Sequence, residues 1–153
     1  MRLASLFTVA GLAVVLAGCE TLRAENCDPS AAANPDVVFD GGQTLSCTYS
    51  SSRRWPDTPT GSFYQGEWLW FPGGMHYALE HGLGCAPTSL QAWVSFDRYG
   101  TRNGGIDAPA AGDQANILAA DATTIRIANG ECADYWLLVT ASVDPATCAA
   151  CSH

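Results

Sequence analysis

Apolar and polar residues alternate through most of the chain after residue 62. In "TSLQAWVSFD", Leu90, Ala92, Val94 and Phe96 fall on one face, and Gln91, Trp93, Ser95 and Asp97 on the other. This period of two is that of a half-buried β-strand. "TTIRIA" sets Ile125 and Ile127 against Thr124 and Arg126, and "DYWLLVTA" aligns Tyr135, Leu137, Val139 and Ala141. "FYQGEWLWF" and "MHYALE" read as strands joined by a Pro72-Gly73-Gly74 turn, and "GDQANILAAD" reads as a further strand, with a short helix as the alternative. Asp121-Ala122 and Asn129-Gly130 mark tight turns. Short strands separated by turn residues predict an all-β fold, a small antiparallel β-sandwich or barrel-like domain over residues 61–143.

The N-terminus breaks this pattern. From Leu3 to Ala17 the chain is apolar or small, interrupted by Ser5, Thr8 and Gly11, and Arg2 is the only charge before Glu20. A run of this size suits the helical apolar region of a secretory signal and falls short of the roughly 20 residues that span a bilayer. It ends in "LAGC", Leu16 to Cys19, which resembles the lipobox of bacterial lipoproteins. The resemblance implies that residues 1–18 are a cleaved signal peptide. It also implies that Cys19 carries a thioether-linked diacylglycerol and an acylated α-amine, so that membrane lipid is its first partner. In such families an aspartate after the cysteine can retain the protein in the inner membrane. Glu20 stands there, so the resemblance implies an exported protein anchored in the cell envelope, at the outer membrane of a Gram-negative cell.

Charge narrows the partners. After residue 18 there are six arginines, no lysine and fifteen acids, and six against fifteen gives −9. Nucleic-acid binding depends on Lys and Arg set against phosphate, so no nucleic-acid partner is expected. Residues 19–60 are expected to be a lipid-anchored tether and irregular segment: "ETLRAENCDPSAAANPD" is small, polar and proline-containing, and "SSSRRWPDTPTG" reads as a loop.

Cysteine usage agrees with export. With Cys19 assigned to lipid, six remain: Cys27, Cys47, Cys85, Cys132, Cys148 and Cys151. An even count in an exported chain reads as disulfides, whose connectivity the sequence leaves open. The expected pattern joins Cys85 to Cys132 within the domain. The other four would staple the ends, as Cys27–Cys47 and Cys148–Cys151 or crosswise. "CAAC" lies in the tail, residues 144–153, without the βαβ setting of a redox pair, so a structural role is expected there.

A second resemblance covers roughly Met75 to Val143. "HGLGCAP" opens a strand, "ILAADATTIRI" follows, and "CADYWLLVTA" closes. This order resembles the small β-sandwich domains of phage tail and tail-fibre proteins that carry an H-N-L-G motif, with Gly82 here in place of Asn. The resemblance implies a sandwich, a structural His81 whose ring is satisfied by backbone, and a role in surface attachment or ligand display.

Candidate chemistry is sparse. His76 and His81 are five residues apart, which places them on opposite faces of a strand, so no metal site is expected. No G-x-S-x-G is present, and Glu67 with Glu80 is the sort of chance carboxylate pair that fifteen acids produce. The chain is therefore read as a non-enzyme. The loop Asp97 to Asp107, with Asn103 between and Asp113 beyond, holds oxygen ligands that could take Ca²⁺. It lacks EF-hand spacing and is read as a solvated turn, so no cofactor is expected. Five tryptophans are the best functional signal. Trp93 shares a face with Gln91 and Asp97, and Trp136 lies opposite Tyr135 and Leu137. Trp93, Gln91, Asp97 and Trp136 are thus the expected ligand-binding residues, for a glycan or protein ligand. The alternative is a structural envelope lipoprotein without a small-molecule site.

Overall fold

The computed structural model describes residues 34–52 and 66–148. The lipobox with Cys19, and Cys27, Cys151 and Trp55, lie outside the described residues.

Among the described residues, ten strands form two sheets. They are β1 (Val37–Phe39), β2 (Gln43–Leu45), β3 (Thr48–Ser50), β4 (Leu69–Phe71), β5 (His76–Glu80), β6 (Ser89–Ser95), β7 (Asp107–Pro109), β8 (Asn116–Ala120), β9 (Thr124–Ala128) and β10 (Tyr135–Ser142). The smaller sheet has the order β1-β5-β9-β8. The larger has the order β2-β3-β10-β6-β7, with β4 also paired to β10. The architecture is a sandwich and not a closed barrel. All pairings are antiparallel except β1 with β5, which is parallel.

The alternating strands form where expected, because each has one continuous apolar face to bury. Ile125 and Ile127 of β9 meet Leu137 and Val139 of β10 in the core, where all four are fully buried together with Phe71 and Leu79. β8 pairs with β9 across the Asp121 turn, where the Asp121 N–H donates to the Thr124 carbonyl at 3.0 Å.

Three expectations are corrected. First, β1 to β3 lie within residues 19–60, the stretch expected to be irregular, and they extend both sheets. Each has three residues, too few to display a period. The β2–β3 turn uses Ser46 and Cys47 at φ 46° and 67° in place of the Asn and Gly that favour such turns. Tertiary bonding holds it, since Val143 N–H donates to the Cys47 carbonyl. Second, of the described part of "FYQGEWLWF" only Leu69–Phe71 forms a strand, β4, and it lies in a different sheet from β5. The Pro72-Gly73-Gly74 turn forms, with Met75 N–H donating to the Pro72 carbonyl at 3.0 Å, but it carries the chain from one sheet to the other. Third, Cys85 pairs with Cys148, not Cys132, so Cys148 is not joined to Cys151 either. Cys148 is buried at 1% exposure. The start of the tail is therefore fastened to the His81–Pro87 loop. Cys132 is also in a disulfide.

Candidate functional site

Directly paired residues of antiparallel strands point to the same side, so the register fixes what the outer face of the larger sheet presents. One row across it is Gln43, the fully buried Ser50, Thr140 and Gln91, and the next is Leu45, Thr48, Ser142 and Ser89. Towards the other end, Leu138 stands opposite Trp93, which pairs with Pro109. Beyond it Trp136 is flanked by Trp70 on β4 and Ser95 on β6. The face is thus divided into a hydroxyl- and amide-bearing half and an aromatic half.

The aromatic half is a packed cluster. Trp70 and Trp136 have ring centroids 5.1 Å apart. The Arg98 guanidinium sits 5.6 Å from the Trp136 centroid, within range of a cation–π contact, and is ion-paired with Glu67. Trp93 and Trp136 are half-buried, and Trp70 is 44% exposed. Leu138 is buried between these tryptophan positions.

The polar half contains an open hollow of about 240 Å³, lined by Thr48, Ser89, Gln91, Thr140, Ala141 and Ser142. It has no ionisable lining residue.

The structure therefore brings Trp93, Gln91 and Trp136 onto one face: the alternation pairs Gln91 with Trp93, and the β6–β10 register adds Trp136. Asp97 has a different task. β6 ends at Ser95, and Asp97 Oδ1 accepts the Tyr99 N–H at 2.8 Å while its carbonyl accepts the Gly100 N–H. Asp97 thereby shapes the 3-10 turn Gly100–Asn103. Asp107, the other end of that loop, is in β7 opposite Ser95. Among the described residues no group of three or more His, Cys, Asp or Glu is placed to hold a metal ion. Thr48, Ser89, Thr140, Ser142 and Trp70 were not singled out in the sequence. The signal for two of them was present, because Thr140 and Ser142 lie at even spacing from Trp136.

The remaining candidate chemistry resolves into structural roles. His81 is 1% exposed, and both ring nitrogens meet backbone: Nδ1 accepts the Leu83 N–H at 3.1 Å, and Nε2 lies 3.0 Å from the Asp121 carbonyl oxygen. Glu67 and Glu80 belong to different places, Glu67 beside Arg98 and Glu80 at the end of β5 in the smaller sheet. On that sheet's outer side Arg126 Nε donates to Asp36 Oδ2 at 2.7 Å, and His76 Nδ1 lies 3.9 Å from Asp36 Oδ1. The hydrogen bond, and then the charge, of Asp36 raise the Arg126 pKa further above its ordinary value. No family model, curated protein or solved structure matches this chain.

Proposed function

We propose that the chain is an exported lipoprotein, acylated on Cys19, whose sandwich binds a glycan on the outer face of its larger sheet. The observation that carries the binding role is the shared face of Trp93 and Gln91, with an aromatic cluster on one side and an open polar hollow on the other. A sugar ring offers an apolar C–H surface and a rim of hydroxyls. Aromatic rings suit the first, and carboxamide and hydroxyl groups suit the second. Export is supported by the "LAGC" sequence together with the Cys85–Cys148 bond, since disulfides persist in oxidising compartments. Two or more acyl chains give stable membrane anchoring without a spanning segment. In a Gram-negative cell, Glu20 after Cys19, where the inner-membrane signal is Asp, favours the outer membrane. The role is display and binding, not catalysis.

Intact mass spectrometry of membrane-extracted protein, native and reduced, tests the anchor. Acyl mass at the N-terminus is the expected result, and a non-acylated chain removes the lipoprotein reading. Glycan-array binding of the wild type and Trp93→Ala tests the site. Loss of binding in the variant is expected, and unchanged binding removes Trp93 from the site. The second reading, a structural envelope lipoprotein without a ligand, is favoured by the packing of Trp136 between Trp70 and Arg98. It takes over if no glycan binds.

A further inference from the structure

Many of the hydroxyls elsewhere among the described residues are committed to bonds within the protein. Ser50, Ser51, Ser52, Ser95, Thr44, Thr88, Thr123, Thr124 and Thr147 all spend their side chains on hydrogen bonds within the protein. The hollow is different. None of Thr48, Ser89, Gln91, Thr140 and Ser142 makes a side-chain hydrogen bond to the protein among the described residues. Five uncommitted polar side chains from three adjacent strands converge on one concavity, fixed in place by the backbone ladders on either side of β10.

We infer that this hollow is a subsite for one ring of an uncharged, polyhydroxylated glycan, with Trp93 as the stacking wall for the neighbouring ring; the inference rests on the glycan-binding reading above. Hydroxyls and a carboxamide each donate and accept, as do sugar hydroxyls, so the pairing needs no charge. With no cation in the lining, a carboxylate or sulfate on the ligand would find no ion pair. The chain's net charge of −8 would also repel an acidic polymer. The volume of about 240 Å³ is below the roughly 300–1,000 Å³ of sites that enclose a drug-sized molecule. It suits one ring of a chain lying across the open sheet. Trp93 is two positions on from Gln91 along the strand, about 7 Å, so a ring in the hollow is adjacent to one over the indole.

The test compares two panels at 0.15 M salt: uncharged cello-, xylo-, manno- and malto-oligosaccharides, and acidic polygalacturonate and alginate oligosaccharides. Full-length wild type, Trp93→Ala and the pair Gln91→Ala/Thr140→Val are measured by calorimetry, with melting temperatures as the folding control. The expected result is binding of at least one uncharged glycan, weakened at least tenfold by the pair at an unchanged melting temperature. If the pair melts early, Ser142→Ala with Ser89→Ala replaces it and must show the same loss. Binding that Trp93→Ala abolishes but neither hollow variant alters overturns this inference and leaves the glycan-binding reading standing. A preference for the acidic panel does the same. Absence of binding to both panels overturns both.

Discussion

His81 Nε2 donates its proton to the carbonyl oxygen of Asp121, 3.0 Å away. The tautomer follows from the other nitrogen, because Nδ1 accepts the Leu83 N–H and so carries no hydrogen. One buried ring thereby joins the end of β5 to the β8–β9 turn, forty residues apart in sequence. Its edge also packs against Tyr49, with ring centroids 6.1 Å apart. His81→Ala leaves the buried Leu83 N–H without its acceptor, takes the His81 donor from the Asp121 carbonyl, and opens a cavity. A loss of about 3 kcal/mol is expected from those effects, read as a lower urea midpoint at unchanged slope.

Asp121 serves the same turn with its side chain. Its carboxylate accepts from the backbone N–H groups of Thr123 and Thr124, both at Oδ1, and from both hydroxyls. Those bonds, the backbone ones foremost, lower its pKa from the ordinary 3.8 to about 2. A carboxylate whose pKa is depressed in the fold stabilises it fully above the unfolded value and loses that contribution as pH falls towards the folded value. The melting temperature should therefore drop between about pH 4 and pH 2. Asp121→Asn should melt lower at neutral pH and flatten that part of the acid limb. An unaltered acid limb in the variant would show that other carboxylates control it.

Tyr49 behaves in the opposite sense. Its ring is 1% exposed, and its hydroxyl has no hydrogen-bond partner among the described residues. Burial raises the phenol's pKa well above the ordinary 10.0. Tyr135 is shifted the same way, by burial first and then by its hydrogen bond to Glu131. A raised pKa favours the neutral phenol in the fold. The contribution is intact below about pH 10 and is lost as pH rises beyond it, where the unfolded chain ionises first. Tyr49→Phe should weaken this alkaline loss. At neutral pH it should also gain about 1 kcal/mol, by removing a buried hydroxyl without a partner. Gly42 marks how tight the site is, since a Cβ there would collide with the Tyr49 ring.

What could be read from the sequence was decided by strand length and by the reach of each signal. β6, β9 and β10 have five to eight residues, enough for alternation to reveal which side is buried. Alternation puts Gln91 with Trp93 on β6 and turns Trp136 away from the core on β10; that all three share one face needs the β6–β10 pairing as well. β1 to β3 are too short to carry a period and depend on partners far along the chain. Val37 pairs with Tyr77, and Tyr49 with Ala141. Phe96 shows the limit of alternation: it continues the buried side of β6 past the strand's end, where it touches the Tyr135 ring yet stays 80% exposed. The hollow was hidden for a related reason. Its residues come from β3, β6 and β10, and only the register of three strands brings them together.

Disulfide pairing is the plainest case of non-local information, and it yields the last prediction. Cys85 and Cys148 are 63 residues apart, and no local pattern favours Cys148 over Cys132 as the partner. The choice is made by the fold. Ser89 opposite Ser142, and the Thr88 N–H bonded to the Ser142 carbonyl, bring the start of β6 beside the end of β10. The residues just outside those strands are then neighbours. In the chain-entropy description, closing a loop of this length stabilises the fold by about 4 kcal/mol. The double variant Cys85→Ala/Cys148→Ala should lose stability of that order in urea titrations. In the wild type neither thiol should react with an alkylating reagent under non-reducing, native conditions. A peptide map that places Cys85 with any other cysteine would overturn the pairing and the docking of the tail with it.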